Sequence, residues 1–111
     1  MKFLLMLYEN EQRWIEGYDP AEMAEYVNFG KENASAIQGG NALQFTKTAA
    51  TVKVRNGETM VTDGPYAETK EQLGGFYLIE AKDRDEAVAI AAKIPAARFG
   101  GIEVRPIMTF S

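Results

Sequence analysis

Cysteine and histidine are both absent from this chain. Without cysteine there can be no disulfide and no thiolate chemistry, which suits a reducing compartment, and a cytoplasmic location is expected. Without either residue a zinc or redox-metal site lacks its usual ligands, and only oxygen-donor sites of the magnesium or calcium kind remain. No metal and no cofactor are expected. Long apolar runs are also missing. Phe3 to Leu7 imitates the start of a signal peptide, but Glu9, Glu11 and Arg13 interrupt it, and nothing approaches the roughly 20 apolar residues that cross a bilayer. There is no Gly-x-Ser-x-Gly elbow, no phosphate-binding loop and no Gly-x-Gly-x-x-Gly, and the glycine pairs beginning at Gly39, Gly74 and Gly100 fit element boundaries instead. A concentrated positive charge is lacking too. The net charge is −4, and the 12 lysines and arginines are scattered, so neither nucleic acid nor an anionic membrane is an expected partner.

What is present reads as one folded domain. At 111 residues with 46% hydrophobic and 25% charged residues, the chain can support a single core unaided, and residues 1–111 are taken as one domain. Lys2 to Tyr8 is apolar on both alternating sets, Phe3/Leu5/Leu7 and Leu4/Met6/Tyr8, as expected of a central strand covered on both faces. Asn10 is placed to cap a short helical turn through Trp14, with Gly17 ending it. Asp19-Pro20-Ala21-Glu22 then predicts an N-cap, a proline in the first helical position and a carboxylate that completes a capping box. The helix that follows carries a stripe of Met23, Tyr26, Val27, Gly30, Ala34 and Ile37, with Gly39-Gly40 as its stop.

The second half repeats this order. Ala42 to Phe45 is expected as a short strand, and Thr51–Arg55 and Glu58–Thr62 flank Asn56-Gly57, a two-residue hairpin signal that sets Arg55 opposite Glu58, Val54 opposite Thr59 and Val52 opposite Val61. Phe76 to Ala81 is a second strand apolar on both faces. Asp83 opens a helix with Ala87/Ile90/Ala91/Ile94 as its buried stripe and Pro95 as its end, and a last strand runs Ile102 to Met108. The predicted fold is α+β: a ferredoxin-like antiparallel sheet of β-α-β, hairpin, β-α-β order with two helices on one face. The other face would be open to water, yet the inner strands place large apolar residues on it. A second copy is the simplest cover, so a homodimer is expected.

The segment Asp63-Gly64-Pro65-Tyr66-Ala67-Glu68-Thr69-Lys70-Glu71-Gln72-Leu73-Gly74-Gly75-Phe76 closely resembles the motif that names the DGPF, or DGPFAETKE, branch of the YCII-related proteins, with Tyr66 in place of the motif's phenylalanine. The likeness extends across essentially the whole chain, from the first strand with Tyr8 to Ile102-Glu103-Val104-Arg105-Pro106. It implies a dimeric α+β barrel in which two such sheets pack face to face, with a cleft in each subunit. It supplies no reaction for this branch, some members of which are linked by gene neighbourhood to extracytoplasmic-type sigma factors. The His–Asp pair attributed to shorter YCII-type relatives does not transfer to a chain without histidine.

Each candidate site residue has a structural and a functional reading. Asp63-Gly64-Pro65 makes a rigid turn, with Asp63 bonding backbone two residues on and Gly64 at positive φ; the same turn can present Asp63 as an acceptor or general base beside the Tyr66 hydroxyl. Glu68, Lys70 and Glu71 form a mixed-sign cluster that suits a solvated loop or a polar wall of the cleft. Glu103 and Arg105 share a strand face opposite Ile102, Val104 and Met108, and serve either as an ion pair or as a site in which Arg105 holds an anion. Trp14, Tyr18 and Tyr26 are read as burial or interface aromatics. The leading expectation is a homodimeric protein that binds a small anionic or carbonyl-bearing molecule, or turns it over by cofactor-free acid/base chemistry. The alternative is a non-catalytic regulatory or interaction module.

Overall fold

Strand β1 (Lys2–Glu9) sits where its two apolar sets predict, in the middle of a four-stranded sheet ordered β2-β5-β1-β6, where β2 is Ile37–Ala42, β5 is Gln72–Glu80 and β6 is Gly101–Pro106. The computed structural model describes residues 1–110. All pairings in the sheet are antiparallel, with Phe3 opposite Ile79 and Pro106, and Leu5 opposite Tyr77 and Val104. Helices α2 (Pro20–Glu32) and α3 (Arg84–Ala91) cover one face of this ferredoxin-like sheet. The core lies between them: Phe3, Leu5 and Leu7 meet Phe29, Ile79, Ala87, Ile90, Ala91 and Ile94. Ile102 and Val104 pack against the same core, as their strand parity requires. Met108 does not, because β6 ends at Pro106 and Met108 lies exposed beyond it.

Local signals explain most element ends. Asn10 accepts from the Gln12 N–H at the start of α1 (Gln12–Ile15), and Gly17, at φ +135°, closes that turn. Asp19 accepts from the Ala21 N–H and Asp83 from the Glu86 N–H, capping α2 and α3. Glu86 reaches back as well, accepting from the N–H of Lys82, one residue before the cap. Glu22 does not: it turns inward, away from the helix start.

The register of α2 also corrects the expected stripe. Glu22, Phe29 and Asn33 are buried with Tyr26 half-buried beside them, while Met23 and Val27 are exposed. The helix stops at Glu32, where Asn33 leaves helical geometry at φ −115° and ψ 20° and its side-chain amide joins its N–H on the Phe29 carbonyl. Ile37 therefore begins β2 and does not end a helix, and the strand expected over Ala42–Phe45 lies instead over Ile37–Ala42. Pro95 likewise opens a 3-10 turn, Pro95–Arg98, after α3 has ended.

The hairpin of β3 (Ala50–Arg55) and β4 (Glu58–Asp63) forms a separate two-stranded sheet in the predicted register, with Asn56 and Gly57 at φ 52° and 79°. It projects as an arm with Val52, Val54 and Val61 exposed. The chain is consequently flat, 47 × 45 × 19 Å, and its 15.9 Å radius of gyration exceeds the roughly 13 Å of a compact chain this long. At the far end, Gly100 is demanded by close packing: a Cβ there would sit 1.9 Å from the Tyr8 carbonyl oxygen. No described helix is long and apolar enough to cross a membrane.

Candidate functional site

On the helix side, beside the first turns of α2, the sheet is left partly uncovered, and the gap forms a cleft of about 850 Å³. Its floor comes from Leu7, Gly75 and Tyr77, and Gly40 and Gly74 add bare backbone. Trp14, Tyr18 and Tyr26 form one wall, the first two with ring centroids 5.8 Å apart, and Leu43, Phe45 and Lys47 form the other. The volume lies within the range typical of small-molecule sites. A smaller hollow of about 370 Å³ between α3 and β6 is lined mainly by aliphatic residues, with Arg84 as its one charged side chain.

A charged knot borders the cleft through Glu9, the one member of it in the lining. Glu9 ends the inward-facing set Phe3, Leu5, Leu7 and is only 7% exposed. A charge carried into a core by strand parity requires partners. Arg13 Nη1 donates to Glu9 Oε2 at 2.5 Å and Trp14 Nε1 to Oε1 at 2.6 Å. Arg13 Nη2 donates in turn to Oε1 of Glu22, also at 2.5 Å, and the guanidinium lies 3.5 Å from the Phe99 ring centroid. Glu22 is 2% exposed, and its Oε2 has no partner among the described residues. Burial opposes the Arg13 charge, but the Glu22 hydrogen bond and the charges of Glu22 and Glu9 outweigh it and raise its pKa. Tyr26 is held in its neutral form, first by burial and then by the charges of Glu9 and Glu22, with a backbone bond at Ala96 opposing. Burial likewise raises the Tyr77 pKa. Both hydroxyls therefore remain proton-bearing donors at ordinary pH.

The cleft is also tied to the segment after the arm. Glu11 accepts from Thr46 N–H at 2.8 Å and Thr46 Oγ1 at 2.5 Å, while its own N–H donates to Gln72 Oε1 at 3.0 Å. Gln72 Nε2 donates to the Thr69 carbonyl, and the Thr69 hydroxyl to the Glu71 carbonyl. The 63–76 segment thus reaches the cleft through Gln72, Leu73, Gly74 and Gly75.

The residues singled out from the sequence stand elsewhere in the single chain. Asp63 ends β4 and is exposed, and the residue two positions on is Pro65, which has no N–H, so the expected side-chain turn bond is not formed. The turn is held by the Gly64 N–H donating to the Ala49 carbonyl and Thr51 Oγ1 donating to the Gly64 carbonyl, with Gly64 at φ +106°. Tyr66 is 82% exposed, with the Lys53 ammonium 5.6 Å from its ring centroid. Glu68 and Lys70 are exposed in the connection to β5. Arg105 and Glu103 are paired, Nε to Oε2 at 3.5 Å, with side chains 69% and 48% exposed. They lie opposite Leu4 and Met6, on the helix-free face. Trp14, Tyr18 and Tyr26, read from the sequence as packing aromatics, line the cleft together. Glu9 was accessible to the same parity argument that placed Glu103 and Arg105, since an acidic residue in register with Phe3, Leu5 and Leu7 must face the helices. Glu22 was hidden by its fit to a capping box.

Fold and cleft together define a ferredoxin-like α+β protein with a cavity between its sheet and helices. A structural comparison agrees: the chain is similar to the 5-chloro-2-hydroxyhydroquinone dehydrochlorinase TftG of Burkholderia phenoliruptrix AC1100, solved in complex with 2,5-dihydroxybenzoquinone, with a TM-score of 0.55 and 18% identity, covering 97% of this chain and 94% of that one. The family model of the YCII-related domain matches residues 1–111, and the chain belongs to the YCII-related family. An uncharacterized protein, R00369, of Rhizobium meliloti (strain 1021) is 44% identical over 117 residues, covering 99% of this chain and 94% of that protein.

Proposed function

We propose that this YCII-related chain is a homodimeric small-molecule-binding protein whose ligand is a flat, mostly apolar ring carrying hydroxyl or carbonyl groups, held in the cleft between sheet and helices. The observation that carries this reading is the lining itself. Aromatic walls offer ring faces, the glycines let a planar molecule approach the backbone, and the Tyr26 and Tyr77 hydroxyls can donate to a carbonyl. At 18% identity the likeness to the dehydrochlorinase carries the fold and not its substrate. If the protein is an enzyme, its chemistry is proton transfer between such a ligand and the oxygen groups around it.

The second copy is proposed to cover the helix-free face, where Leu4, Met6, Tyr8, Phe76 and Leu78 are half-exposed with no element above them. Arg105 and Glu103 would then be interface residues. Asp63, Tyr66, Glu68 and Lys70 enter this reading only through that second copy, because ligand chemistry on so exposed a segment needs a partner surface to enclose it. A protein-docking role is favoured by one observation, the projecting arm with its exposed valines.

Titration of the 15N-labelled protein with 2-naphthol separates the two. Trp14 is the only tryptophan, so its indole N–H is a unique resonance inside the cleft. Shifts at that signal and at the Gly74 and Gly75 amides are expected. Shifts confined to the arm or the helix-free face would transfer the function to docking.

A further inference from the structure

The cleft has a chemical bias at Glu9 that aromatic lining does not explain. Glu9 lines the cleft and receives both of its donors, Arg13 and Trp14, from α1. A carboxylate oxygen can accept two hydrogen bonds, and each Glu9 oxygen has received one from the protein. Behind it, a single guanidinium serves two buried carboxylates, and the second of these, Glu22, still has an oxygen with no partner among the described residues. The knot therefore carries surplus negative charge in a desolvated place. Glu11, the other acidic residue of the lining, likewise has each oxygen engaged once, by Thr46, but it is only half-buried and shares no cation with a second carboxylate. Lys47, the one basic residue of the lining, is exposed at the opposite wall.

We infer that Glu9 is the polar anchor of the cleft, accepting a hydrogen bond from a ring hydroxyl of the ligand, and that Trp14 is the positioning residue that turns the carboxylate toward it. This rests on the cleft being the ligand site. It also sets the ligand's polarity: the end of the ring that meets Glu9 is a hydroxyl donor, and a carboxylate is rejected there by the surplus charge.

Three naphthalene probes of nearly one shape test the assignment in the intact protein: 2-naphthol, 2-methylnaphthalene and 2-naphthoate, with affinities read from the Gly74 and Gly75 amide shifts. Wild type is expected to bind 2-naphthol about tenfold more tightly than 2-methylnaphthalene, the scale of one hydrogen bond to a charged group, and 2-naphthoate least. Glu9→Gln should abolish the hydroxyl advantage and Glu11→Gln should keep it. Trp14→Phe retains a ring but loses the indole donor. It should shrink the 2-naphthol to 2-methylnaphthalene ratio, a change that mere loss of packing, which acts on both probes alike, would not produce. If Glu9→Gln does not fold, Glu9→Asp keeps the charge for Arg13 while withdrawing it from the cleft by one methylene, and is read in the same way. An unchanged hydroxyl advantage in the Glu9 variant, or 2-naphthoate binding at least as well as 2-naphthol, overturns the anchor and leaves the cleft standing. Failure of all three probes to move the cleft amides overturns the cleft reading itself.

Discussion

Arg13 ties together parts of the chain that are far apart in sequence. It joins the end of β1 to α2 through Glu9 and Glu22, lies over Phe99, and so holds α1, which has no buried residue of its own, against the body. Arg13→Met would leave two buried carboxylates with no cation between them. Because Arg13 itself is partly exposed, the lower end of the usual cost for breaking a buried pair applies, a loss of about 3 kcal/mol measurable by urea unfolding. Tyr26 makes a second prediction, this one about alkaline pH. Its folded pKa is raised above the ordinary value of 10.0, so the folded state keeps a proton that the unfolded chain gives up. The resulting stability is fully present below pH 10 and is lost as pH rises beyond it. Urea midpoints between pH 8 and 11 should fall less steeply for Tyr26→Phe than for wild type, with a residual slope from Tyr77, whose pKa is also raised.

Among elements, the arm and its exit turn are the most self-contained. Asn56-Gly57 sets the hairpin register, and Gly64 lets the chain leave β4 at a positive φ of +106° with open space around its α-carbon. The strain of any replacement is therefore conformational and not a clash. Gly64→Val should cost about 1–3 kcal/mol, because a β-branched residue resists this backbone region. Asp63→Asn should be close to neutral, since the Asp63 carboxylate is exposed and the turn's bonds run through Gly64, Ala49 and Thr51. Thermal melts of both variants check the ordering, and equal losses would make the Asp63 charge structural. The element boundaries that sequence periodicity missed have a common cause. Apolar residues at Ala34 and Ile37 continue a helical spacing, but Asn33 captures the Phe29 carbonyl and the chain turns into a strand that β5 can pair.

At the scale of the whole molecule, the flat shape and the two-faced inner strands belong together. The helix-bearing face is closed by its own core except at the cleft, while Leu4 opposite Leu78 and Met6 opposite Phe76 form a band that none of the described residues covers. A stable pair would bury on the order of 1,200 to 2,000 Å² in total. Wild type is expected to scatter light as a dimer at micromolar concentration. Leu78→Glu, which sets a charge in the middle of the band without touching the helix-side core, should yield a folded monomer with an unchanged circular dichroism spectrum. A wild-type monomer would remove the pairing from the proposed function.

Strand parity, turn residues and caps were sufficient for the ferredoxin-like order, the two central strands, the arm's register, the α3 stripe and the positive φ of Gly64, because each of these is decided by residues close to one another in the chain. The 63–76 segment likewise carried the family resemblance. The cleft was not legible in the same way. It depends on the first turns of α2 leaving part of the sheet uncovered, and on the segment between β1 and α2 bringing Trp14 and Tyr18 to the gap. The distance from Glu9 to Glu22 is spanned by a guanidinium whose reach no spacing rule reports. Glu22 shows the limit most plainly: three residues after Asp19 it satisfies every local criterion for a capping box, yet burial beside Arg13 gives its carboxylate a partner that water and the helix start do not. Local propensity determined which residues could form each element, and only tertiary packing decided which charged groups would be drawn inside to face the cavity.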